Sequence, residues 1–146
     1  MQEIALHELA HARTGDKGNR LNIAVVCRDP AFYATLAAQL TAERVARHFA
    51  ARKPTRVVRY ALPKLVAFNF VLDDVLEGGV NASLGHDGHG KALSFYMLAA
   101  ELEIDAALLG DAETALAGGA VPPAFADIAA SVTQAESVKA AGIQPE

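Results

Sequence analysis

The spacing of apolar positions changes several times along the chain, and each change marks an element. Leu21 to Arg28, LNIAVVCR, is short and β-branched-rich, which predicts a strand covered on both faces. It ends at Asp29-Pro30, where Asp29 can cap a helix and Pro30 brings the ring-fixed φ of a first helical turn. From Pro30 to Phe49, Phe32, Leu36, Leu40, Val45 and Phe49 recur at helical spacing. Thr41 with Glu43 signals a break and a second cap, so two short helices or one kinked helix are expected. Pro54 cannot continue a helix. RVVRYALP then reads as a strand closing at Pro63. In LVAFNFVLDDVL, Phe68, Phe70 and Leu72 alternate with Asn69, Val71 and Asp73, which predicts a further strand joined through a Pro63-Lys64 turn.

Two Gly-punctuated stretches flank these elements. Ile4 to Ala12 reads as a leading strand, and the polar loop Arg13 to Asn19 follows it. A second loop, EGGVNASLGHDGHGK, runs from Glu77 to Lys91 and precedes ALSFYMLAAELEI, where Leu93, Tyr96, Met97 and Ala100 lie on one helical stripe. The order strand, helix, strand, strand, helix is that of a split βαβ, hence a ferredoxin-like two-layer α+β sandwich with an extra N-terminal strand. Its last strand is expected around Leu102 to Leu109. Beyond Asp111 the chain becomes Ala-rich, with a linker expected around Gly118 to Pro123 and a peripheral helix from Ala124 to about Ala141. The organisation read here is therefore a domain over 1–110 and a linker with a helical tail over 111–146. No repeat of solenoid period is present.

Composition narrows the function classes. A chain of 146 residues fits one domain and can bury a core without disulfides or metal. Much of its 52% hydrophobic share is Ala, which buries little area per residue and leaves self-association, as a homo- or hetero-oligomer, as a further source of stability. The net charge of −4 argues against nucleic acid as a partner. The basic cluster from Arg44 to Arg59 reads as a solvated face near a helix C-terminus, where cations oppose the helix dipole. Cys27 is the only cysteine, which excludes an internal disulfide, and its place in NIAVVCR makes it a small buried hydrophobe. The start is acidic and no apolar run of membrane-spanning length follows, so no membrane association and a cytoplasmic location are expected.

The candidate chemistry sits in the two loops. Gly15 and Gly18 can permit positive φ and expose backbone N–H groups as an anion nest, to which Arg13 adds a planar fork and Lys17 a point charge. A phosphate or carboxylate is the natural guest. Asp16 would orient Lys17 or act as a base, which makes Asp16 and Lys17 the catalytic candidates. The bland alternative is a tight polar turn in which Asp16 ion-pairs locally. GDKGNR has neither the Walker spacing nor the three spaced glycines of a dinucleotide fingerprint, and no cofactor motif is found. In GHDGHGK, His86 and His89 align for a metal only on a helix, so no metal is assigned, and Asp87-Gly88 is read as a turn leading into the helix with solvated histidines. Adjacent Asp73 and Asp74 on a strand point to opposite faces and make a poor dyad, whereas Gly78 and Gly79 let a backbone approach a ligand or partner closely.

ARTGDKGN, NIAVVCRDPAFY, LTAERVARHF, RYALPKLVAFNFVLDDVLEGGVNASL and GKAL together resemble the small ferredoxin-fold domain of the AtuA-like family, the acyclic terpene utilisation proteins, from about Leu6 to Ile104. Arg13, Gly15, Asp16, Lys17, Gly18, Asn19, Asn69, Gly78 and Gly79 match the family pattern; Val80 departs from it where a third glycine is often seen. The resemblance implies a partner: the family's large domain, fused or separate, connected with breakdown of branched or isoprenoid acids as CoA thioesters. The leading expectation is an accessory small subunit that helps form an acyl-CoA or carboxylate site with that large subunit. In this reading Arg13 and Lys17 bind the anion, and Gly15, Gly18, Asn19, Asn69, Gly78 and Gly79 shape the site. The alternatives are a self-contained homo-oligomeric hydratase or isomerase and a non-catalytic assembly module.

Overall fold

The computed structural model describes residues 1–117 and 134–144. The chain runs through β1 (Gln2–Ala5), a one-turn helix α1 (Leu6–Leu9), β2 (Ala10–Lys17), β3 (Arg20–Cys27), α2 (Tyr33–Gln39), α3 (Ala42–His48), β4 (Arg56–Leu62) and β5 (Ala67–Asp73). It continues through α4 (Leu93–Leu98), β6 (Glu101–Ile104), α5 (Ala106–Ala117) and β7 (Gln134–Lys139). Five strands form one antiparallel sheet in the order β2-β3-β5-β4-β7, while β1 pairs with β6 in a separate ribbon. β3, the helices α2 and α3, and β4 with β5 between the two strands make the expected split βαβ, so the fold is α+β and ferredoxin-like.

Period-two alternation builds the core from one sheet face. Leu21, Ile23 and Val25 of β3 and Phe68, Phe70 and Leu72 of β5 are fully buried. They join Phe32, Leu36, Val45, Phe49 and Met97 from the helical layer in one cluster. The helix entry is as expected: the Asp29 side chain accepts from the Ala31 N–H, Pro30 opens a short 3-10 turn, and Thr41 re-caps by accepting from the Arg44 N–H. Arg59 faces inward from β4 and ties the layers together. Its Nη1 donates to the Ala37 and Leu40 carbonyls at 2.7 and 3.1 Å, at the otherwise unpaired C-terminus of α2. Its Nη2 lies 2.8 Å from Glu136 of β7, and the guanidinium sits over the Phe68 ring.

Several expectations need correction. The leading segment is not one strand from Ile4 to Ala12: Leu6 and Leu9, three apart, are both fully buried, which a helical turn permits and alternation does not. Arg13 to Lys17 is strand, so the expected loop shrinks to a two-residue hairpin turn at Gly18-Asn19. Among the described residues β3 is covered on one face only, with Val26 43% exposed on the other. The helical stripe read through Ala100 ends as helix at Leu98, and the strand expected around Leu102 to Leu109 is the shorter β6, where Leu102 and Ile104 are buried and Glu101 and Glu103 are exposed. That last strand pairs with β1 instead of the main sheet, and the chain re-enters a helix at Ala106. The linker expected over Gly118 to Pro123 lies outside the described residues, as does the start of the tail helix; Gln134–Lys139 is not helix but the edge strand beside β4.

Cys27 closes the core face of β3. Burial pushes its thiol up to about 12, so the thiolate that attacks disulfide reagents is scarce at neutral pH. Native protein at pH 8 is expected to resist Ellman's reagent and to react fully in denaturant. Rapid labelling of the native chain would show that this strand end opens.

Candidate functional site

The β2–β3 hairpin and the chain between β5 and α4 meet within one molecule. Gly18, at φ +59, takes the first of the two turn positions, the pattern of a type II′ hairpin turn. Asn19 then binds the second loop: its Oδ1 accepts from the Leu76 and Gly78 N–H groups at 2.9 and 3.3 Å, and its Nδ2 donates to Asp74 at 3.1 Å. The Gly18 and Asn19 carbonyls accept from the N–H groups of Val80 and Val75. Gly79 has φ +119, and a Cβ there would lie 3.2 Å from the Gly18 carbonyl carbon. A side chain at Gly79 would therefore be strained by its own backbone and pressed against another. The expected close approach is real, and its partner is the chain's own hairpin.

On the helix side of this junction, Thr14 and Asp16 of β2 receive the start of α4. Lys91 Nζ donates to Asp16 Oδ1 at 2.5 Å, and His89 Nδ1 lies 2.9 Å from Asp16 Oδ2. Thr14 Oγ1 donates to the Lys91 carbonyl at 3.4 Å. Asp87 holds this segment by accepting the N–H groups of Lys91 and Ala92, four and five residues on, at 2.8 and 3.0 Å, in a turn that leads into the helix as expected. The Asp16 side chain is only 12% exposed, yet hydrogen bonds from Lys91 and then His89 hold its carboxyl below the usual carboxylate range. A carboxylate stabilised in this way is a weak base at neutral pH. It is better suited to orienting His89, whose Nδ1 it engages.

Asp16 does not meet Lys17. Neighbours on a strand point to opposite faces, so Lys17, Gly15 and Arg13 lie on the sheet face away from the helices. Gly15 has no positive φ; it leaves room for Asn22, since a Cβ at Gly15 would fall 2.4 Å from Asn22 Oδ1. Asn22 in turn donates to Asn69 Oδ1 at 3.2 Å on the same face. Lys17, Asn19, Arg20, Asp73 and Asp74 line an open depression of about 340 Å³ at the end of that face. The structure thus unites Gly18, Asn19, Gly78 and Gly79 in one backbone junction, joins Arg13, Lys17 and Asn69 on one sheet face, and sets Asp16 apart with His89 and Lys91. His89 is exposed, as expected, but its reach to Asp16 and the places of Lys91 and Asn22 carry no signal in the sequence. His89 and Lys91 meet Asp16 across more than seventy positions, a pairing that spacing does not reveal. Among the described residues no three His, Cys, Asp or Glu side chains are placed to hold a metal ion, and no described helix is long and apolar enough to cross a membrane.

A two-layer α+β domain built on this hairpin junction has a counterpart among protein families: residues 4–103 match the family model of the AtuA ferredoxin-like domain. The chain belongs to that family. Comparison with curated proteins and with solved structures gives no match.

The lowered pKa of Asp16 has a stability consequence. Its folded value lies below the unfolded value of about 3.9, so the ionised carboxylate adds stability above about pH 4, and that contribution is lost as the pH falls through the lowered value. Wild-type protein is expected to unfold at higher urea than Asp16→Asn at pH 5, with the gap closing as the pH falls below the usual carboxylate range. A gap unchanged at the acid end would show that charge on Asp16 does not hold Lys91 and His89.

Proposed function

We propose that the chain is the small subunit of a heteromeric enzyme, pairing with a separate AtuA-like large chain in the breakdown of branched or isoprenoid acids carried as CoA thioesters. The observation that carries this reading is the division of the family's polar residues between two sides of one sheet. Asp16 lies with His89 and Lys91 on the helix side, while Arg13 and Lys17 lie on the other. Neither side joins these groups into one acid–base and anion-binding set, which favours a site completed by a second chain. In this reading Lys17 and Arg20, beside the open depression, receive the carboxylate or a phosphate of the thioester, with Arg13 further along the face. Asp16 is a positioning residue for His89.

The test is co-expression with the AtuA-like large chain of the same genome, followed by turnover assays with branched acyl-CoA thioesters. A stoichiometric complex that turns over a thioester neither chain converts alone is expected. Turnover by the small chain alone, with a clean homo-oligomer and no large partner, would replace this reading with that of a self-contained enzyme. In the active complex, Asp16→Asn is expected to lower kcat by freeing the His89 ring and to leave the KM for the thioester nearly unchanged. An unaltered kcat would remove Asp16 from the reaction.

A further inference from the structure

The sheet that supplies the core from one face has no described helix on the other. The register across the strands places Lys17, Arg20, Asp73, Arg56 and Lys139 in one row along that face, with Arg13 two positions further along β2. Asp73 is the only carboxylate at the outward strand positions and is already paired with Arg20. The chain as a whole carries −4. Cations therefore outnumber acids along this sheet face of a chain whose net charge is negative, an arrangement that steers and orients an anionic partner.

The centre of the same face is flat and mixed in polarity. Gly15 lets the Asn22 side chain lie over it, Asn22 and Asn69 are hydrogen-bonded to each other, and Ala24 stands opposite Asn69 in the ladder. Val26 and Tyr60 are exposed beside this floor. A broad surface with an aliphatic and amide centre and a cationic rim is the anatomy of a protein–protein interface. Single-stranded nucleic acid stacks its bases on several aromatic rings, and Tyr60 is the one aromatic at these outward positions.

We infer that this uncovered sheet face is the docking surface for an acidic face of the large chain. The inference rests on the small-subunit reading above and adds which surface makes the complex. Arg56 and Lys139 are the informative positions, because they stand on β4 and β7, outside the Arg13–Lys17 motif, and neither lines the depression, although Arg56 stands opposite Asp73 at its edge.

The experiment measures the affinity of the purified small chain for the large chain, at about 50 and 500 mM salt, spanning weak to strong screening. It compares wild type, the double variant Arg56→Glu/Lys139→Glu, and the helix-side control Arg47→Glu, each checked for an unchanged melting temperature. Expected are a steep loss of wild-type affinity with salt, about tenfold or greater weakening in the double variant, and near-wild-type binding by the control. If the complex forms and Arg56→Glu/Lys139→Glu binds as tightly as wild type, the surface is wrong while the subunit reading stands. If wild type forms no complex with the large chain, both fall. Tight binding of single-stranded oligonucleotide by the small chain, lost in the double variant, would overturn the protein partner in favour of nucleic acid. Should the double variant melt early, Arg56→Gln/Lys139→Gln is read against the same criteria.

Discussion

The structure depends on a sheet covered on one side. Period-two alternation sends Phe68, Phe70 and Leu72 of β5 and Leu21, Ile23 and Val25 of β3 into one core, and the described helices close over that side. Each large aliphatic or aromatic side chain buried there contributes roughly 1.5–3 kcal/mol. A one-residue slip of register would turn the whole set outward, so the face on which every remaining side chain stands is settled by the core. That is why Asp16 joins α4 while Lys17, its neighbour, joins Arg20 and Arg56 on the far side.

A second constraint fixes the long segment between β5 and α4. Asn19 supplies one side-chain acceptor to two N–H groups and one donor to Asp74, and Gly79 allows the segment to press against the hairpin turn. Further on, Gly90 sits among Leu76, Leu21 and Leu93 where a Cβ would be as close as 2.8 Å. With both glycine contacts made, Asp87 caps the start of α4, and Lys91 and His89 are delivered to Asp16. The conformational freedom of glycine serves this packing; the anion nest imagined over Arg13 to Lys17 is replaced by ladder strand.

The parts of this arrangement legible in the sequence are those written in short-range chemistry. Asp29-Pro30 and Thr41 announce the two helix starts, Pro54 closes the helical stretch, and Phe68 to Asp73 alternate cleanly. The parts that escaped are set by distant contacts. The last strand, expected in the main sheet, pairs instead with β1 in a separate ribbon. The five-stranded sheet gains β7 from a segment whose Ala content favours helix. The cationic row was equally hidden: Arg20, Arg56 and Lys139 lie far apart along the chain and align only once the register is known. Even Arg59, read with its neighbours as part of a solvated basic face, turns inward to the carbonyl end of α2.

The most direct measurement of the docking claim is lysine acetylation footprinting of the small chain, free and in complex with the large chain. Lys17 and Lys139, on the uncovered sheet face, are predicted to lose most of their reactivity in the complex. Lys17 and Lys139 as reactive in the complex as in the free chain would contradict the account.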